Sequence, residues 1–204
     1  MNCLLCEQPK QSSPSWQSLI AIEKSTLICE DCSNQFKRVD IIEVGDNIDS
    51  ITSIFTYNEA MRNYLHQYKF LQDIALAGVF SNELKQALSK KKAIIVPIPM
   101  HPTKKIERTF AQVDELLKAA DVSFEDLLIK TNQEVMGEKT REERLSMSRL
   151  FQIKPQVEIE STTYILVDDI YTTGTTMQHA ALTLKEAGAK TVHAVTLIRA
   201  ASEQ

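Results

Sequence analysis

Residues Tyr164 to Thr176 read YILVDDIYTTGTT, and the rest of the chain takes its meaning from this stretch. Three aliphatic residues, Ile165, Leu166 and Val167, run into two adjacent carboxylates, Asp168 and Asp169. A hydroxyl-rich loop follows, Thr172-Thr173-Gly174-Thr175-Thr176. The apolar run is too short for a helix and rich in aliphatic and β-branched side chains, as suits a buried parallel strand. From Met177 the spacing changes: Met177, Ala180, Ala181 and Leu184 recur at helical intervals up to Gly188, which fits a C-terminal cap. The Thr/Gly loop is therefore predicted at the carboxyl end of a strand, opening a helix. Unpaired N–H groups and the helix dipole favour a phosphate there, Gly174 lets the backbone come close, and the threonine hydroxyls add donors. Two carboxylates at a strand end cost free energy unless they meet cations or hydroxyl donors. A ribose diol and Mg²⁺, in front of a bound 5′-phosphate, would satisfy both. The plainer alternative is an ordinary strand-turn-helix with an Asp N-cap.

This stretch resembles the phosphoribosyl pyrophosphate (PRPP) signature of type I phosphoribosyltransferases, a hydrophobic strand followed by D-D-x-x-T-T-G-x-T, without a break. The resemblance implies an α/β fold with a parallel sheet flanked by helices. It places Asp168 and Asp169 at the ribose hydroxyls, directly or through the metal, as the candidate catalytic acids. It places Thr172, Thr173, Gly174, Thr175 and Thr176 on the 5′-phosphate. No residue is an obvious general base.

At 204 residues the chain can bury a full core, and one main domain plus a small module is expected. Hydrophobic content of 43% and charged content of 25% are those of a soluble globular protein. No apolar run approaches the ~18 residues of a membrane span. The start of the chain lacks the basic and apolar regions of a signal peptide, so the cytoplasm is the expected location. A net charge of −4 argues against coating nucleic acid by bulk electrostatics, yet leaves room for a local basic face. Lys90, Lys91, Lys92, Lys104, Lys105 and Arg108 flank one loop, and Lys139, Arg141, Arg144 and Arg149 punctuate another segment.

All four cysteines lie in two C-x-x-C pairs, Cys3/Cys6 and Cys29/Cys32, separated by 22 residues. Each pair sets two thiolates on one tight turn, and two such turns facing each other make the tetrahedral sulfur cage Zn²⁺ prefers. Four protein ligands close the shell, so the site would be structural, in a module (residues 1–40) too short for a core of its own. Disulfides, disfavoured in the cytoplasm, and an iron–sulfur cluster are the alternatives; the spacing favours zinc. Trp16 is expected to pack between the pairs.

Ile51 to Phe55 reads as a strand. Glu59 to Phe70 reads as an amphipathic helix with Met61, Leu65 and Tyr68 on one face and Tyr64, His66 and Lys69 turned elsewhere. Ile74 to Leu88 reads as a second helix. Ala93 to Pro99 is a buried strand that stops at proline, since Pro97 and Pro99 cannot donate to a sheet ladder. A stiff loop of Pro97, Ile98 and Pro99 followed by Lys104 and Arg108 suits a diphosphate; an ordinary basic solvent loop is the plainer reading. A helix carrying Phe110, Val113, Leu116 and Leu117 comes next, then a candidate strand from Asp126 to Lys130.

VPIP, basic residues and then E-R-T-F-A-Q (Glu107 to Gln112) resemble the ComF family, zinc-headed phosphoribosyltransferase-like proteins of bacterial DNA uptake. That family usually reads R-G-F-N-Q here: Arg108, Phe110 and Gln112 match, whereas Thr109 and Ala111 replace the glycine and the asparagine. Arg141-x-x-Arg144 resembles the family's R-x-x-R-x-x-N, with Met147 in place of the asparagine. This segment is a candidate mobile loop over PRPP, or else an exposed helix with Glu/Arg pairs. Thr191 to Ile198 reads as the last strand, so a hood over the site is expected from residues 41–75 of the 41–204 domain, with or without the cysteine module, or is absent.

The ComF resemblance implies a PRPP- and Mg²⁺-binding protein of natural transformation, moving single-stranded DNA beside a helicase-like competence ATPase. Lys104, Arg108, Arg141 and Arg144 would be its nucleic-acid contacts. A salvage or biosynthetic transferase is one alternative. A DNA- or protein-binding module with PRPP as regulatory ligand is another.

Overall fold

In the computed structural model, residues 2–10, 27–89, 92–100, 107–131 and 150–200 are described. The two most apolar segments, β6 (Thr163–Tyr171) and β7 (Thr191–Arg199), lie side by side and parallel at the centre of a sheet. Near-continuous burial along both is what a strand covered on each face requires. β2 (Ser50–Thr56) pairs parallel to β7, and β1 (Arg38–Glu43) pairs antiparallel to β2. On the other side β3 (Ile94–Pro97) pairs parallel to β6, giving the order β1-β2-β7-β6-β3. β3 is an edge strand, the place in a sheet where proline is tolerated. One further bond, from the Ile98 N–H to the Val167 carbonyl at 2.9 Å, carries the chain past Pro97 before Pro99 ends the pairing.

Helices cover both faces. One face carries α2 (Glu59–Lys69), a 3-10 turn (Ile74–Gly78), α3 (Ser81–Leu88) and α4 (Gln112–Ala119). Their core joins Tyr64, Tyr68, Leu84 and Leu116 to Ile165, Val167 and Leu197 of the sheet. The other face carries α5 (Thr175–Glu186) and a hairpin of β4 (Leu128–Lys130) and β5 (Phe151–Ile153), joining Phe151, Ala180 and Leu184 to Tyr164 and Leu166. Among the described residues no helix is long and apolar enough to cross a membrane.

The cysteine-bearing segments sit on the first of these cores. A short helix, α1 (Glu30–Ser33), follows Cys29, and Phe36 then meets Phe80 edge-on at 4.9 Å and Phe55 at 6.4 Å. Cys3, Ile28 and Phe36 are buried in the same cluster as Tyr64 and Phe80.

The structure departs from the sequence reading in several places. Tyr64, predicted to turn away from the core, is fully buried, its hydroxyl donating to the Leu76 carbonyl at 3.3 Å. A tyrosine whose polar tip finds a carbonyl behaves as a core residue. Lys69 also turns inward, to Asp169. The helix predicted over residues 74–88 is divided at Gly78, where an added Cβ would stand 2.6 Å from a Leu27 methyl. Phe110 is buried but precedes α4. Residues 38–43, which straddle the boundary expected at residue 40 between the cysteine module and the main domain, form the edge strand β1, and part of the candidate hood segment is thus built into the sheet. Trp16, Lys104, Arg141 and Arg144 lie outside the described residues.

Candidate functional site

The parallel strands bring three sequence-predicted segments to one sheet edge. β6 runs through both acids to Tyr171, three residues turn, and α5 begins at Thr175. Gly174 is the residue before the helix, at φ 80, with no side-chain cap on the first turn. The N–H groups of that turn have no intrahelical acceptor, so the loop is an anion cradle by construction. The Thr173 and Thr175 hydroxyls are 3.0 Å apart, and Thr172, Thr173 and Thr175 are exposed. A side chain at Gly174 would meet the Tyr171 hydroxyl oxygen at 2.2 Å from its Cβ, so any other residue here is strained in conformation and must push the Tyr171 ring aside.

The two acids diverge. Strand alternation puts Asp168 on the face of Tyr164 and Leu166, and Asp169 on the face of Ile165 and Val167. Asp169 is buried and ion-paired to Lys69 at the C-terminal end of α2. Asp168 is half-buried, and its Oδ1 accepts the Asp169 N–H at 2.8 Å. Among the described residues it forms no ion pair. Burial, with the neighbouring Asp169 charge next, pushes the Asp168 carboxyl up to about 7, against the opposing pull of the Asp169 amide, Lys69 and Lys130.

Behind the threonine loop stands Arg199, at the end of β7, which the sequence reading passed over. Its guanidinium lies 4.6 Å over the Tyr171 ring and donates to the Thr172 carbonyl at 2.8 Å. Glu43 of β1 holds it from the far side at 3.2 Å. The Tyr171 and Thr172 carbonyls are thus tied back toward the sheet. A basic residue one position past the apolar run of the strand beside β6 was the available sequence signal.

Pro97 and Ile98 are buried and Pro99 half-buried, and the register Pro97 to Val167 sets this turn next to Asp168. Arg108 is described but committed: it donates to Gln112 Oε1 at 2.7 Å and lies 5.5 Å over the Phe70 ring. The Gln112 Nε2 is buried and has no partner among the described residues. Thr109, at the family's glycine position, adopts φ 57, a conformation that a β-branched residue seldom takes. Its hydroxyl donates to Gln72 Oε1 at 3.0 Å, while Gln72 Nε2 donates to the Glu107 carbonyl at 3.2 Å.

A second candidate site lies in the cysteine segments. Cys3, Cys6, Cys29 and Cys32 bring their sulfurs within 4.8 Å of one another, and the Cys6 and Cys29 sulfurs are 3.7 Å apart. Zn–S bonds of about 2.3 Å in a tetrahedron require sulfurs about 3.8 Å apart, so the group fits a four-thiolate metal centre. Burial works to raise the Cys3 thiol, but backbone N–H donors from Cys6, Cys29 and Leu5 bring it down to about 6. The Cys29 N–H donates to Cys3 Sγ at 3.3 Å. Cys32 is raised, first by burial and then by the other three thiols, the expected cost of four sulfurs sharing one site.

A parallel sheet with this acid pair and threonine loop at its carboxyl edge is the plan of a phosphoribosyltransferase-like α/β protein. Residues 62–204 match the family model described as the phosphoribosyl transferase domain. The chain belongs to that family and, within it, to the ComF competence proteins. Competence protein ComFC of Streptococcus pneumoniae (strain ATCC BAA-255 / R6) is 34% identical over 221 residues, covering 98% of this chain and 100% of that protein. Competence protein ComFC of Bacillus subtilis (strain 168) is 29% identical over 227 residues, covering 97% and 94%. Two solved structures show local likeness. The allosteric regulatory enzyme of purine biosynthesis has 23% identity and a TM-score of 0.41, over 59% of this chain and 25% of that one. A hypoxanthine phosphoribosyltransferase from Staphylococcus aureus has 16% identity and a TM-score of 0.37, over 63% and 74%. At these scores the two likenesses add nothing to the family match.

Proposed function

We propose that this protein binds PRPP with Mg²⁺ at the carboxyl edge of its sheet and acts in natural transformation, supporting the uptake of single-stranded DNA with a helicase-like ATPase in the cytoplasm. The observation that carries the PRPP reading is the left-handed Gly174 between an acid-bearing strand and an uncapped twelve-residue helix. The 5′-phosphate would lie on Thr172, Thr173, Gly174, Thr175 and Thr176, and the ribose beside the Asp168–Asp169 pair. The Pro97–Ile98–Pro99 turn with Lys104 and Arg108 would face the diphosphate. Magnesium supplies charge neutralisation to the diphosphate, and Asp168, with no ion pair of its own among the described residues, is the carboxylate fitted to hold it. Cys3, Cys6, Cys29 and Cys32 would hold a structural Zn²⁺.

The competence role rests on the two ComFC relatives, which share almost the whole length of the chain. Contacts to DNA would fall to Lys104, Arg108, Arg141 and Arg144. Calorimetry with PRPP and Mg²⁺ tests the ligand: heat is expected from the native protein and none from Asp168→Asn, and a native protein that gives no heat overturns the reading. Retention of single-stranded DNA, falling steeply with added salt, tests the second part. Release of diphosphate in the presence of a panel of bases separates a working transferase from a protein that uses PRPP as a signal.

A further inference from the structure

We propose that Lys69 is a positioning residue of the sugar-phosphate site, pinning Asp169 against α2 so that Asp168 alone of the acid pair is presented to the ligand. The proposal rests on the PRPP reading above and divides a task that the motif assigns to both acids.

The geometry carries it. Lys69 is the last residue of α2, where a cation is favoured by the helix dipole, and its ammonium reaches Asp169 Oδ2. The two side chains are only 12% and 9% exposed, so this is not one of the loose surface pairs that contribute little. Lys69 is the cation paired with Asp169. The neighbouring Tyr64 and Tyr68 hydroxyls donate elsewhere, to the Leu76 and Gln112 carbonyls. Turning Asp169 toward a ligand would strand a buried ammonium, which is strongly unfavourable. Asp168 leaves the strand on the opposite face and breaks no ion pair by meeting a sugar hydroxyl.

The turn after Lys69 extends the same tie to the basic loop. Phe70 lies under the Arg108 guanidinium, and Gln72 bonds both the Glu107 carbonyl and the Thr109 hydroxyl. A single segment, residues 69–72, thus holds the acid end and the cationic end of the site at a fixed spacing. Lys69 is the member of that segment that meets the signature strand.

Affinity for PRPP with Mg²⁺, measured by calorimetry on the full chain, tests the division of labour. Asp168→Asn should abolish binding, whereas Asp169→Asn, which leaves the Lys69 ammonium unpaired, should weaken it by about tenfold. Lys69→Met should weaken it about tenfold or more by leaving Asp169 buried and unpaired. Lys69→Arg should recover most of the loss, and Lys69→Met combined with Asp169→Asn should return to within about threefold of the native protein, because the neutral pair leaves no stranded charge. Asp169→Asn as damaging as Asp168→Asn, or Lys69→Met without effect, overturns the proposal. Should Lys69→Met fail to fold, Asp169→Asn and the double variant decide the matter. If the native protein binds no PRPP, the PRPP reading fails by itself. The thermal midpoints of the two single variants and the double variant then judge the pinning: additive losses overturn it, and a double variant more stable than Lys69→Met sustains it.

Discussion

The cysteine cluster and the acid pair pose the same electrostatic problem, several like groups forced close together, and the protein answers it in opposite ways. The four thiols meet one another and backbone amides, and Cys32 is driven up by its neighbours. The aspartates instead point to opposite faces of one strand, and one of them has Lys69 as an internal partner. A site that borrows its counter-charge folds with its ion; a site that carries its own is preorganised before any ligand arrives.

The largest effect that could break this contrast is removal of the proposed zinc. A strong chelator, or Cys29→Ser, should unfold residues 2–10 and 27–37 and cost several kcal/mol, as structural zinc sites supply on the order of 10 kcal/mol to small modules. Release of the metal and the loss of amide dispersion at these residues measure it; an unchanged spectrum would make the cluster as self-sufficient as the acid site. Next comes Gly174→Ala, where φ 80 and the Tyr171 hydroxyl both oppose a Cβ. A loss of about 2 kcal/mol in urea unfolding and a collapse of PRPP affinity are expected.

A smaller effect concerns Asp168. Its carboxyl rises from 3.8 to about 7 on folding, so the folded state holds the proton more tightly. This contribution to stability is full below pH about 4 and is lost as pH rises through about 7. Asp168→Asn should therefore stabilise the protein at pH 8, by on the order of 1–3 kcal/mol after allowing for partial exposure, and leave it unchanged near pH 4. Melting curves at the two pH values check the sign. Stability would thus be gained by the very change that abolishes binding. The smallest effect is Thr109→Gly, which relieves a β-branched residue at φ 57 and restores the family residue. A gain of about 1 kcal/mol is expected from chemical unfolding, less whatever the Thr109–Gln72 bond contributed.

Most of the sheet was legible because buried parallel strands leave unbroken aliphatic runs, as at Ile165–Val167 and at residues 93–96, and because Pro97 and Pro99 could only end a strand. The helix behind the loop was legible from spacing alone. β1 was not, since an antiparallel edge strand with one wet face leaves Ile42 71% exposed and carries no continuous apolar signal. In the candidate site the acids and threonines were visible as a motif, but Lys69 and Arg199 were not. Each reaches its partner across the fold, Lys69 from α2 and Arg199 from β7, and neither periodicity nor charge counting reports which way a long cationic side chain turns. Tyr64 failed for a related reason, because its hydroxyl partner at Leu76 is set by the fold and not by helical spacing.

The pairing of Ser50 with His193, two positions 143 residues apart, sets when this protein can finish folding. On a ribosome adding about 5–20 residues each second, β2 emerges on the order of ten seconds before the strand it must lie against. During that interval the nascent polypeptide displays an unpaired edge, an invitation to aggregation that chaperones exist to shield. Completion of the sheet, and with it of the pocket, waits until β7 has been made.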